Sequence, residues 1–227
     1  MLKGDLKKQA ILETAENLFF EKGYNSTTID DILTVLKCSK GSLYHHFDSK
    51  QQILGELGRQ HAETAFKQYA EQEYGTAIDA FNGLLYHAMI IRAGQERLVS
   101  TVLPLVGTTD ESILTSAALN AQEKLFLPEL CKLLEKMYAE GTAFCDEEFL
   151  PTLAWDTYTA LYRRLLFFAR DLQTGSKQHG DIVPILNSGR FLWERLLDVP
   201  FGSVEIIRAD EALSCIHQAV THNKYLA

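Results

Sequence analysis

No apolar run in this chain approaches the roughly 20 residues that a bilayer-spanning helix requires. The longest candidate, Gly83 to Ile91, is short and is interrupted by His87. The N-terminus carries Lys3, Lys7 and Lys8 but leads into an amphipathic pattern, without the apolar stretch and small-residue cleavage site of an export signal. A soluble cytoplasmic protein with no membrane contact is therefore expected. Cysteine is scarce: Cys38, Cys131, Cys145 and Cys215 lie far apart with no CxxC pair, which suits reduced thiols and not a disulfide scaffold. Low-complexity sequence, internal repeats and strand-like alternation are missing too. So are a Ser-His-Asp layout, an HExxH pair, a phosphate-binding glycine loop and paired carboxylates in an evident cleft, and no enzyme is expected.

Positive charge is in deficit, with 22 basic against 30 acidic residues and a net charge of −8. Its distribution matters more than its sum. Residues 1–50 hold seven Lys and seven Asp or Glu, so the remaining 15 basic and 23 acidic residues carry the whole imbalance. An acidic body behind a neutral head repels polyanions everywhere except at the head. Within the head, Lys37, Lys40 and Lys50 face a single acid, Asp48.

What the sequence does contain is helical periodicity over nearly all of its length, predicting an all-α fold. A first helix runs from about Leu6 to Lys22, with Ile11, Ala15, Leu18 and Phe19 on one face and Gly23 as its stop. A second begins at Thr28, whose hydroxyl can cap it with Asp31 as a box-like partner, and buries Ile29, Ile32, Leu33 and Leu36. The stretch from Leu36 to Lys40 is long enough only for a tight turn. A third helix starts behind Ser39 and runs through Tyr44 to about Phe47; Leu43 and Phe47 face inward, leaving Lys40, Ser42, Tyr44 and His45 outward. Ser49 and Gln52 then read as a capping box that opens a fourth, longer helix through Ile53, Leu54 and Leu57.

The strings Thr27-Thr28-Ile29-Asp30-Asp31-Ile32, Ser39-Lys40-Gly41-Ser42-Leu43-Tyr44-His45-His46-Phe47 and Ser49-Lys50 together resemble the signature of the TetR family of transcriptional regulators, over about the first 57 residues. One departure is Lys37, where the family pattern has glycine in the turn. The resemblance implies an N-terminal helix-turn-helix DNA-binding domain, residues 1–50, and a helical effector-binding and dimerisation domain, residues 51–227. It implies that Thr28, Ser39, Lys40, Gly41, Ser42, Tyr44, His45 and Lys50 form the DNA-binding surface. Thr28 and Lys50 would meet phosphates, and Lys40, Ser42, Tyr44 and His45 would lie in the major groove of a palindromic operator.

Beyond residue 75, helices are expected near 76–93, 95–106, 111–126, 128–140, 150–173, 181–199 and 203–223, punctuated by Gly94, Gly107, Gly141, Gly175 and Pro200. Pro128 and Pro151 sit where a first-turn proline is tolerated. By resemblance, the helices near 150–173 and 181–199 pair with their copies in a homodimer, setting two heads roughly 34–36 Å apart or somewhat more. A pocket for a small-molecule effector is implied in the body, with Phe81, Tyr86, His87, Met89, Arg92, Phe126, Trp155, Tyr158 and Tyr162 as candidates. The body's excess acid favours a cationic or neutral effector over a polyanion. No cofactor is expected and no metal: His45 and His46 diverge on their helix, Asp48 completes no ligand set, and Cys215-x-His217 with His222 is a weak pattern. The function implied is a repressor released from its operator by the effector. The alternative is a helical adaptor or coregulator whose head no longer binds DNA, supported by Lys37 in the turn and the head's zero net charge.

Overall fold

The computed structural model describes residues 3–143 and 150–226, and Cys145 lies outside them. Among these residues ten α-helices and two short 3-10 turns form, and no strand. None of the helices described is long and apolar enough to cross a membrane.

The first four elements follow the sequence closely. α1 (Lys3–Lys22) buries Ile11, Leu12, Ala15, Leu18 and Phe19; α2 (Ile29–Leu36) buries Ile32; α3 (Lys40–Tyr44) buries Leu43, with Phe47 buried just beyond it. α3 is shorter than the stretch to Phe47 predicted for it. Lys37 is the residue that lets α2 and α3 meet at an angle. It takes the left-handed conformation, φ 48° and ψ 46°, while its N–H reaches Thr34 O at 3.4 Å and the Cys38 N–H reaches Leu33 O at 3.3 Å. The turn thus closes with a lysine where glycine is the unstrained choice.

α4 (Lys50–Ala70) runs out of the head and into the body, and its most extensive partner is α7 (Thr109–Ala139). The two approach closely because Gly58 has no side chain: a Cβ there would lie 2.9 Å from Leu114 Cδ1 and 3.3 Å from Ala118 Cβ. Around this pair lie α5 (Ala77–Ala88), α6 (Glu96–Val102), α8 (Leu150–Gln173), α9 (Ile182–Leu197) and α10 (Ala209–Leu226). α10 packs on α6, and α8 on α9. One continuous core extends from Ile11 to Val220, so the expected boundary at residue 50 falls at the first turn of a helix that both halves share.

Four body elements differ from their sequence expectation, and in two of them the cause is a contact distant in sequence. α5 stops at Ala88, not near 93, because the Ala88 carbonyl accepts from Gln122 Nε2 (2.7 Å) and from the Tyr158 hydroxyl (2.7 Å); a continuing helix would have bonded it to the Arg92 N–H. α10 begins at Ala209, not near 203. Asn82 bonds the backbone of Ser203 and Glu205 (both 3.0 Å), and Glu194 accepts from the Gly202 N–H at 2.6 Å, holding this stretch extended. The helices expected at 111–126 and 128–140 are one, with Pro128 inside it. An interior proline costs about 3 kcal/mol, but burying each large apolar side chain returns about 1.5–3 kcal/mol. Phe126, Leu130, Leu133, Leu134 and Met137 continue the buried stripe across it, while Lys124 and Pro128 face outward, where water can satisfy the freed carbonyl. The helix expected at 95–106 ends at Val102 and tightens into a 3-10 turn at Leu103–Leu105, which contains Pro104.

Because Lys37 is exposed and its backbone is left-handed, Lys37→Gly is expected to raise head stability by about 1 kcal/mol. Urea unfolding of the two proteins measures this as a higher midpoint at unchanged slope.

Candidate nucleic-acid interface and interior cavity

Three hydroxyls define the helix starts of the head. Thr28 Oγ1 accepts from the Asp31 N–H at 3.1 Å while Asp31 Oδ2 accepts from the Thr28 N–H at 2.8 Å, a reciprocal box. Lys22, 2.8 Å from Asp31, is the main reason that carboxyl is held down to about 2. Ser39 Oγ accepts from the Ser42 N–H at 3.3 Å, and Ser49 Oγ from the Gln52 N–H at 3.1 Å. Gln52 reaches back to the Asp48 N–H, one residue short of the reciprocal bond the sequence suggested.

With Leu43 and Phe47 inward, α3 presents Lys40, Gly41, Tyr44 and His45 to solvent and leaves Ser42 half-buried. Lys37 and Lys40 make no ion pair among the described residues, so their charge is uncompensated on this face. A Cβ built on Gly41 meets nothing within 4 Å, so the chain's own packing does not require glycine there. The face therefore carries cationic, hydroxyl and ring-nitrogen groups around a bare stretch of backbone.

Lys50 stands at the start of α4, with its ammonium turned onto the head itself. Its ammonium donates to Tyr24 O (2.8 Å) and Thr27 O (2.9 Å) and sits 4.1 Å over the Tyr24 ring. Burial lowers its pKa. Two of its N–H groups thus brace the loop between α1 and α2. Thr27, which the sequence placed in the signature without a role of its own, completes that brace by donating to Gly23 O and Leu18 O (2.8 and 3.1 Å).

The head is tied to the body by side chains far apart in sequence. His61 on α4 lies 2.9 Å from Glu16 on α1, and that bond is the chief cause of the lowered Glu16 pKa. Phe20 is stacked by His222 at 3.8 Å, capped by Arg97 at 4.5 Å, and its carbonyl accepts from His222 Nε2. Glu56 on α4 binds Arg59 at 2.8 Å and also Lys8 on α1.

The candidate effector residues separate into two groups. Phe81, Phe126, Trp155 and Tyr158 are buried core, and Tyr158 is anchored by the Ala88–Gln122 network. Tyr86 faces two surface clefts of about 640 and 530 Å³, one beside α9 and the start of α10, the other beside Tyr74 and Asn82. His87, Met89, Arg92 and Tyr162 line a small interior cavity of about 30 Å³ between α4, α7, α8 and the connector from α5 to α6. Burial lowers the pKa of Arg92 and, with Arg92's charge, that of His87. Among the described residues no group of three or more metal-ligating side chains forms.

Two capped helices meeting at a left-handed residue, with the second exposing polar groups, define a helix-turn-helix protein. Residues 11–57 match the family model for bacterial regulatory proteins of the tetR family. It is 52% identical over 46 residues to the biofilm operon icaADBC HTH-type negative transcriptional regulator IcaR of Staphylococcus aureus, covering 20% of this chain and 25% of IcaR. It is 38% identical over 65 residues to the HTH-type transcriptional repressor KstR2 of Rhodococcus jostii, covering 29% and 32%. The matches thus span under a third of either relative. Over the whole body the likeness is one of fold: Salmonella enterica GusR superposes with a TM-score of 0.58 at 19% identity, over 87% of this chain and 98% of GusR.

Glu56 sits at about 2 when folded against 4.5 ordinarily, so its contribution is complete above the unfolded value and is lost as pH falls through the folded one. Unfolding followed from about pH 5 down to about pH 2 is expected to show a shallower loss of stability in Glu56→Gln than in the natural chain.

Proposed function

We propose that the chain is a sequence-specific DNA-binding transcriptional regulator, acting as a repressor that a small-molecule effector releases from a palindromic operator. The observation that carries this reading is the outward face of α3, on which Lys40, Gly41, Tyr44 and His45 stand clear of the protein's own packing. In the major groove, Tyr44 offers a hydroxyl and a ring, His45 a ring nitrogen, and Gly41 the close backbone approach that a phosphate or base edge needs. Thr28 and Ser39 add helix starts suited to phosphates. Lys50 contributes charge at the rim while it braces the head. The turn at Lys37 closes normally, which removes one of the two supports for an adaptor with an inactive head.

Dimerisation belongs to the same proposal. The stripe from Trp155 to Ala169 on α8 is buried within the protomer. What α8 and α9 leave outside are Leu153, Val183, Phe191 and Leu192, all large apolar side chains with more than a third of their surface exposed. A second copy across this face would cover them and fix the distance between heads. Effector binding in the body would then favour a head spacing that fits the operator less well, and operator binding must weaken effector binding by the same factor.

DNA selected from a random duplex pool supplies the operator for the tests. Tyr44→Ala is expected to weaken specific binding by about 1–3 kcal/mol while log affinity for any duplex keeps falling with log salt. Gly41→Ala is expected to fold at least as well, since a helical glycine costs about 1 kcal/mol relative to alanine, yet to lose operator affinity. Full affinity in both variants excludes this face. Separately, Phe191→Arg with Leu192→Glu is expected to give a monomer by ultracentrifugation and to weaken operator binding; a variant that stays dimeric rules out the α8–α9 interface.

A further inference from the structure

The interior cavity is of the opposite sign to the protein around it. Its wall is apolar at Ala62, Leu98, Val102 and Leu114, and its ionisable groups are Arg92, His61, His87 and the Tyr162 phenol, with no carboxylate among the lining residues. The chain as a whole carries −8. Arg92 is only 5% exposed, on a connector that is not helical. Its terminal nitrogens bond neutral oxygens, Gln68 Oε1 at 2.8 Å and Ala93 O at 3.4 Å, and its Nε has no partner. Glu211, the carboxylate whose field reaches it, is engaged by the Tyr86 hydroxyl at 2.7 Å and the Ala93 N–H at 3.1 Å. Across the same cavity wall His87 Nδ1 is also buried without a partner, its Nε2 being bound to Gln72 at 3.0 Å.

The guanidinium is offset by the Tyr86 ring at 5.5 Å and by the charge of Glu211, but its buried Nε donor has no partner, which favours an acceptor that enters the cavity. We propose that this cavity binds an organic monocarboxylate, the carboxylate on Arg92 and a short apolar tail along Leu98, Val102 and Leu114. This rests on the effector reading above and names the ligand's chemical class. It reverses the cationic or neutral effector that the overall charge suggested, because the local wall and not the net charge sets the field a ligand meets. A cavity of about 30 Å³ has room for little more than a water-sized group, so admitting the tail requires the connector at 89–95 to move. The site also reaches the head: His61 lines it and holds Glu16 of α1.

The test uses the full chain without DNA and a matched series: butyrate, hexanoate and octanoate against the alcohols and amines of the same lengths, by calorimetry and thermal shift. At least one carboxylate is expected to bind about tenfold or more tightly than its alcohol, with the amine weaker still. Arg92→Met should bind carboxylate and alcohol alike, and Arg92→Lys should keep part of the preference. If Arg92→Met does not fold, the charge series on the natural chain decides alone. Equal binding of carboxylate and alcohol, tighter binding of the amine, unchanged carboxylate affinity in Arg92→Met, or no binding by any carboxylate each overturns the proposal. Operator affinity at saturating carboxylate is measured apart. Arg92-dependent binding that leaves operator affinity unchanged sinks effector release and keeps the anion site; loss of the anion site leaves DNA binding standing.

Discussion

The close crossing of α4 over α7 is the constraint on which the rest of the architecture depends. α4 is a single 21-residue helix that supplies Ile53, Leu54 and Leu57 to the core and then lies along α7 at a distance only Gly58 permits. No flexible linker intervenes between the part that carries α3 and the part that carries the cavity. A displacement of α4 against α7 is therefore a displacement of the head against the body, and close-packed interiors transmit such shifts with little loss.

The head was legible in the sequence because its determinants are local. Thr28 with Asp31, Ser39 with Ser42 and Ser49 with Gln52 are each three residues apart, and the inward pair Leu43 and Phe47 are four apart. The body was legible as helical but not in its ends. Ala88 is capped by Gln122 and Tyr158, 34 and 70 residues away, and the stretch after Gly202 is held by Asn82 and Glu194. Propensity and punctuation cannot report bonds of that range. Pro128 misled for the converse reason: a strong local signal was outweighed by a buried stripe on both sides of it.

The candidate effector residues show the same division. Aromatic stripes at helical spacing identified what is buried, and Phe81, Phe126, Trp155 and Tyr158 are buried, but as packing. The polar members that accompany them, His87 and Arg92, line the interior cavity together with Met89 and Tyr162. His61, Glu16 and Gln122 gave no signal, because their roles exist only once α1, α4, α5 and α7 are assembled.

The end of α5 has one consequence for how the body can respond to what it holds. Its final carbonyl is bonded by side chains from α7 and α8, so where this helix stops is decided by its neighbours and not by its own residues. Were either neighbour to slide, the Ala88 carbonyl would regain its ordinary partner, the N–H of Arg92, and the chain beyond could wind up by a turn. The length of α5 is in this sense a gauge of the spacing between three helices, and the guanidinium at its end travels with the reading.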